Sequence, residues 1–233
     1  MSVHWIVFDA VGTVIYPTPS VAVAYHEIGR KFGTSLSLEE IRTRFRSAFA
    51  TASESINSGT SEADEEAFWR EIVNGVLPDV SDPELCFREL FDHFARITAW
   101  ACFDDVAPTL EGLRSRGFRL AVASNFDRRL HPLCDGLGAG QPLRLFERRV
   151  ISSEVGFRKP AAEFYQAVLK VTEAGPDELL VVGDDEQNDV LGARVAGLRA
   201  IHLRRDASAA QHDRALFDRD FISSLSELEA LEL

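Results

Sequence analysis

The chain has 233 residues, 45% of them hydrophobic, and carries a formal net charge of -12. That length and apolar content suffice to bury a sizeable core, as one large domain or as a domain with a substantial insertion. The acidity argues against a surface built for nucleic acid or anionic membrane, both of which would be repelled, and any anionic substrate would need a local cation to overcome the global field.

The first element is the apolar run His4-Trp5-Ile6-Val7-Phe8, which reads as a buried parallel strand. It ends in Asp9-Ala10-Val11-Gly12-Thr13, so Asp9 stands at the C-terminal edge of a strand, where open α/β sheets gather their chemistry. Pro17 and Pro19 punctuate a change of pattern, and from about Ser20 to Trp100 the chain reads as three or four packed helices. Ser37-Leu-Glu-Glu40 and Ser81-Asp-Pro-Glu84 read as capping boxes. Ser61 opens a further helix in which Phe68, Trp69, Ile72, Val73 and Val76 recur at helical spacing, the stripe expected of a bundle core.

Beyond Asp105 short β-branched runs alternate with helices: a helix over Val106 to Arg116, then strands at Arg119–Ala123, Arg149–Ile151, Leu179–Val182 and Leu198–His202. Strands separated by single helices predict right-handed crossovers and a parallel sheet covered on both faces, with the strand of Asp9 among them. The helical block is then an insertion between the first strand and its partners. The Gly-rich stretch Asp135–Gly140 reads as a helix C-cap and loop, without the spacing of a phosphate-binding motif. Cys86, Cys102 and Cys134 show no metal-ligand spacing and read as free thiols of a reducing compartment. No basic leader precedes the first strand and no apolar stretch approaches the ~18 residues that span a bilayer, so the expected location is cytoplasmic.

Four strand ends offer polar groups to one crevice: Asp9 with Thr13, Ser124 with Asn125, Lys159, and Asp184 to Asp189. A carboxylate attacking phosphorus repels a dianion, so such a site needs a divalent cation and a lysine. Asp184 is suited to ligate Mg²⁺ together with Asp9, and Asp189 to hold a metal-bound water, since Mg²⁺ prefers hard oxygen ligands and retained waters. Asp185 reads equally as a ligand or a helix N-cap. Lys159 is one of three lysines, with Lys31 and Lys170, among 25 basic residues, and suggests a compact point charge. Ser124 and Asn125 are expected to donate to the oxygens of the transferring group, and Thr13 to hold Asp9 in its rotamer.

Phe8-Asp-Ala-Val-Gly-Thr13, Val122-Ala-Ser-Asn125, Gly156-Phe-Arg-Lys-Pro160 and Gly183-Asp-Asp-Glu-Gln-Asn-Asp189 resemble motifs one to four of the haloacid dehalogenase superfamily. The resemblance implies an α/β fold with a Rossmann-like parallel core formed by residues 1–16 and 101–233. It further implies an inserted α-helical bundle, the cap, over 17–100, as in the subfamily of phosphoglycolate phosphatases, haloacid dehalogenases and Reg-2-like members. It implies Asp9 as covalent nucleophile. The phosphatases of that family carry a second Asp two positions on, acting as general acid and base, and here that position is Val11, whose backbone carbonyl can still ligate the metal.

A positioned acid or base contributes roughly 10² to 10⁴ in rate, so a phosphatase lacking it should be slow. Haloacid dehalogenases manage without that Asp because a halide leaves unprotonated, and the residues around Asp9 resemble theirs. Those enzymes use no metal and carry Ser where this chain has Asp184, and an acid beside Asp9 argues for a cation. Phosphonatases use a cap lysine, but Lys31, beside Arg30 near a helix end, reads as a solvated surface residue. His26 and Glu27, in the first cap helix, are candidates to replace the acid.

The leading expectation is a Mg²⁺-dependent phosphohydrolase acting on a small phosphorylated metabolite through an aspartyl-phosphate at Asp9. Its alternatives are a non-catalytic, regulatory protein that binds a phosphorylated metabolite, and a 2-haloacid dehalogenase. The pattern assigns no oligomeric state.

Overall fold

The computed structural model describes residues 3–55, 58–205 and 221–230. Its centre is a six-stranded sheet: β1 (Trp5–Phe8), β4 (Arg119–Ser124), β5 (Arg148–Ile151), β6 (Leu179–Gly183), β7 (Arg199–Leu203) and β8 (Phe221–Ile222), with two short strands, β2 (Ile15–Pro17) and β3 (Trp100–Cys102), outside it. The spatial order is β5-β4-β1-β6-β7-β8 and every pairing in it is parallel. Alternation along β1 explains why the sheet is buried on both faces. Ile6 and Phe8 join one apolar cluster with Val106, Leu110 and Leu120, whereas Trp5 and Val7 join another with Ala121, Phe164 and Val168. The covering helices include α5 (Val106–Ser115), α6 (Leu130–Gly136), α7 (Ser152–Val155) and α8 (Ala162–Thr172).

From β1 the sheet grows one way to β4 and β5, and the chain then returns to pair β6 on the other flank of β1. This reversal opens a crevice at the carboxyl ends of the strands. Register fixes what stands there: Phe8 is level with Val122 and with Val182, so Asp9, Ser124 and Asp184 leave the sheet along one edge.

Four helices, α1 (Val21–Lys31), α2 (Leu38–Ser55), α3 (Glu62–Val76) and α4 (Pro83–His93), lie between β2 and β3, which pair antiparallel as the chain leaves and returns. They form a third apolar cluster, centred on Tyr25, Ile41, Phe68, Ile72 and Phe87. The Ser37 box forms as expected, with the Ser37 N–H donating to Glu40 Oε2 at 2.8 Å and the Glu40 N–H to Ser37 Oγ at 3.3 Å. Ser61 caps α3, accepting from the Asp64 N–H at 3.3 Å. At α4 the cap shifts by one residue. Asp82 accepts from the Leu85 N–H at 3.0 Å with Pro83 in the first turn, while Ser81 Oγ donates instead to Phe32 O at 3.0 Å. Pro83 at the first helical position fixes the start there, which makes Asp82, an equally good capping residue, the N-cap.

Strands β2, β3 and β8 escaped the sequence reading because two- and three-residue strands carry no period. The helix expected after the Leu198–His202 strand falls outside the described residues. No helix among those described is long and apolar enough to cross a membrane.

Candidate active site

Asp9 is 8% exposed and sits at the end of the central strand β1. Two groups approach its Oδ1: Ser124 Oγ donates at 3.0 Å and Lys159 Nζ at 2.6 Å. Among the described residues, Asp9 Oδ2 accepts no hydrogen bond. Lys159 is buried and spends its three donors on Asp9, on Asp189 Oδ1 at 2.5 Å and on Ala123 O at 3.0 Å. Burial opposes the ammonium charge, but Asp189 and Asp9 together raise its pKa well above the usual lysine range.

Asp189 lies within a π-helical stretch, Glu186–Leu191, that follows β6, and its Oδ2 accepts from the Asp185 N–H at 3.1 Å. Burial pushes the Asp189 carboxyl upward against the pull of Lys159. Asp184, at the mouth of the crevice, has its pKa raised to about 6, first by desolvation and then by the charge of Asp9. Asp185 is the N-cap: its Oδ1 accepts from the Gln187 and Asn188 N–H groups, each at 2.9 Å.

Thr13 is bonded differently from expectation. It donates from Oγ1 to Asp184 Oδ1 at 2.9 Å and accepts there from the Asp184 N–H at 3.1 Å, so it holds Asp184 and not Asp9. The reason lies in the turn between them. Gly12 has φ +91°, and the Val14 and Ile15 N–H groups both return to Ala10 O at 2.9 Å, carrying Thr13 round to β6. A side chain at Gly12 would also run into the Asp184 carboxylate. Asn125 is likewise engaged: its Nδ2 donates to Lys159 O at 3.0 Å and its Oδ1 accepts from the Lys159 N–H at 2.8 Å, tying the β4 loop to the lysine loop.

Three acidic oxygens, one each from Asp9, Asp184 and Asp189, lie within 4.8 Å of one another. Three carboxylates this close repel unless a cation joins them, and one ammonium does not balance three charges; a hard divalent ion fits this donor set. The cradle is kept open by glycine, since a Cβ at Gly12 would strike Asp184 and one at Gly183 would strike Asp189.

The site forms the floor of a cavity of about 690 Å³ whose opposite wall comes from the helical block. Val11, 37% exposed, faces this space. His26 and Glu27 are not among its lining residues; among the described residues, Glu65 and Tyr25 are the titratable groups the helices bring to it. Glu65 is buried, with its Oε1 accepting from Arg158 Nη1 at 2.7 Å and Thr60 Oγ1 at 3.0 Å, and desolvation raises its pKa despite that cation. Lys31 is an exposed residue paired with Glu89. The three cysteines are buried or half-buried, and desolvation lifts each thiol to about 11, far from a nucleophilic thiolate.

Sequence reasoning missed Glu65, Arg158 and Arg205. Arg205 donates to Gly12 O at 3.3 Å and Thr13 O at 2.6 Å while pairing with Asp105 at 3.0 Å, and so buttresses the loop after Asp9 from below. No local signal marks a residue 192 positions away in sequence as a partner of that loop.

A sequence model described as haloacid dehalogenase-like hydrolase matches residues 3–197. The chain is 28% identical to haloacid dehalogenase-like hydrolase domain-containing protein 3 of Danio rerio, over 98% of this chain and 96% of that one. It is 26% identical to a phosphoserine phosphatase of Thermus thermophilus, over 86% and 88%. Its fold is similar to the HAD-hydrolase YfnB of Bacillus subtilis, solved with bound magnesium, at TM-score 0.76 and 16% identity over 98% of this chain and 97% of that one.

Proposed function

The chain belongs to the haloacid dehalogenase-like hydrolase family, and on that premise we propose that it is a Mg²⁺-dependent phosphohydrolase of small phosphorylated metabolites, with Asp9 as nucleophile. The observation that carries this reading is the grouping of Asp9, Asp184 and Asp189 within 4.8 Å around the ammonium of Lys159. A phosphatase among the relatives supports it.

Asp9, Asp184 and the Val11 backbone carbonyl would hold Mg²⁺, with Asp189 taking a metal-bound water. When bound, the cation neutralises charge on the phosphoryl group and lets the carboxylate of Asp9 approach a dianion. Ser124 and Lys159 fix Asp9 through Oδ1, which leaves Oδ2 to attack phosphorus as the ester P–O bond breaks and the electron pair leaves with the alcohol oxygen. Water then cleaves the aspartyl-phosphate. Thr13 holds Asp184, Asn125 holds the lysine loop, and Lys159 offsets the negative charge of the attacking group. Val11 supplies no proton to the leaving oxygen, so turnover is slow and favours leaving groups that depart as anions.

The residue at 184 separates this reading from metal-free dehalogenation: a second acid beside Asp9 without a cation would be a costly like-charge pair. The test is phosphate release from p-nitrophenyl phosphate with and without Mg²⁺, for wild type and Asp9→Asn. Mg²⁺-dependent release that Asp9→Asn abolishes is expected. Absence of release from wild type at high enzyme concentration would move the weight to a non-catalytic binding protein, and metal-independent halide release from 2-chloropropionate would move it to a dehalogenase.

A further inference from the structure

The wall facing the acids is aromatic. Ring contacts run without a break from Trp69 to Phe49 (6.1 Å between centroids), Phe49 to Phe45 (5.9 Å), Phe45 to Tyr25 (5.4 Å), Tyr25 to Phe94 (6.4 Å) and Phe94 to Trp100 (6.0 Å). All six rings line the cavity that holds Asp9. Phe45, Trp69 and Phe94 are only half-buried, and Phe49 is 40% exposed. Apolar ring area is thus left unpacked along the cavity wall. A volume of about 690 Å³ is in the range of pockets that take drug-sized molecules and far exceeds the needs of a phosphate group.

The cavity's charges are spoken for. Besides Lys159, its basic residues among those described are Arg158, paired with buried Glu65 at 2.7 Å, and Arg129, paired with buried Asp127 at 2.7 Å and lying 3.6 Å over the Phe91 ring. No cation among the described lining residues remains to receive a second anionic group of a substrate.

We propose that the substrate is the phosphate monoester of a bulky, uncharged aromatic alcohol, its ring seated against Phe49, Phe45 and Trp69 and its phosphate on Asp9. This rests on the phosphohydrolase reading above and narrows it. Flat rings meet aromatic walls at centroid distances of 4.5–7 Å with favourable offset or edge geometry. The same substrate fits Val11. An aryl oxide leaves with the electron pair of the broken P–O bond and takes its proton from solvent afterwards, while the new bond joins phosphorus to Asp9. Water then releases inorganic phosphate and restores the carboxylate.

The experiment compares kcat/KM with Mg²⁺ for phenyl phosphate, 2-naphthyl phosphate and phenyl phosphate bearing a para-carboxylate, alongside p-nitrophenyl phosphate. Phenol and 2-naphthol are leaving groups of similar acidity, so their ratio reads the fit of the ring; about a tenfold preference for naphthyl is expected. The carboxylate improves the leaving group, yet its ester should react more slowly than phenyl phosphate because no free cation meets it. Phe49→Ala, at a partly exposed position, and Trp69→Ala should each bring the naphthyl-to-phenyl ratio toward unity, and a ratio is insensitive to loss of folded enzyme. Naphthyl turned over no faster than phenyl, a carboxylate that accelerates, or a ratio unmoved in both variants would overturn the inference while Asp9-dependent release from p-nitrophenyl phosphate left the phosphohydrolase reading intact. Failure of wild type to release phosphate from any of these esters would overturn both.

Discussion

Across the cavity above Asp9, the sheet edge and the helical block are finished in opposite chemistry. The sheet edge presents three carboxylates and a lysine linked by hydrogen bonds of 2.5–3.1 Å, with Asp9 and Asp184 directly after their strands, Asp189 in the π-helical stretch that follows β6 and Lys159 in the loop after α7. The helical side presents rings, and its buried acid, Glu65, is neutralised by Arg158. Asp9, Ser124 and Asp184 are placed by backbone register and cannot shift without breaking ladders, and Lys159 and Asp189 are tied to them by hydrogen bonds, whereas positions on the helical side are fixed by side-chain packing, which tolerates exchange of one apolar group for another. On the proposed reading, chemistry and selection are carried by parts that can change independently.

If that division holds, the largest effect comes from the sheet side. Val11→Asp should raise phosphate release from alkyl esters by roughly 10² to 10⁴, since it supplies the missing proton donor, and aryl esters should gain less. Steady-state kinetics on the two ester classes would check this, and equal gains would show that leaving-group protonation does not limit the wild type. Next, Lys159→Met leaves Asp9 and Asp189 buried without their cation and should destabilise the fold by about 3–5 kcal/mol in urea denaturation. Adding Mg²⁺ to that variant should recover part of the loss, because a bound cation stabilises the folded state by mass action.

On the helical side the effects are smaller. Ser61→Ala removes the cap of α3, the helix that carries Glu65 and Trp69, and should cost ~1 kcal/mol in the same assay with the naphthyl-to-phenyl ratio altered little. Glu65→Gln tests the acid at the seam. Its pKa is raised in the fold, so the folded state binds the extra proton, and stability is greatest below the ordinary glutamate pKa and falls as pH rises through the folded value. Thermal melts at several pH values should show that decline in wild type and a flatter profile in Glu65→Gln; identical profiles would mean that Arg158 fully offsets the burial.

Much of the sheet side was legible because its information is local. An apolar run ending in Asp9, a β-branched run ending in Ser124 and another ending near Asp184 announce strand ends, and parallel crossovers bring such ends to one edge whatever the helices between them do. For Asp185 the sequence left ligand and cap equally open, and the hydrogen bonds from Gln187 and Asn188 to its carboxylate identify the cap. The partner each side chain takes was not legible. Thr13 turns to Asp184 because Gly12 adopts a left-handed conformation, and Asn125 meets Lys159 because two loops 34 residues apart lie side by side.

The residues alone determined the order of the longer strands and helices, the acids and the lysine that follow them, and the absence of a carboxylate at position 11, because periodicity and residue type act over a few neighbours. Only the tertiary structure decided that Glu65 meets Arg158 across 93 residues, that Arg205 supports the loop after Asp9, and that half-buried rings face the acids. An amphipathic helix states how wide its apolar stripe is, not whether that stripe is covered by another helix or left lining a cavity, and this choice is made only when the whole chain packs.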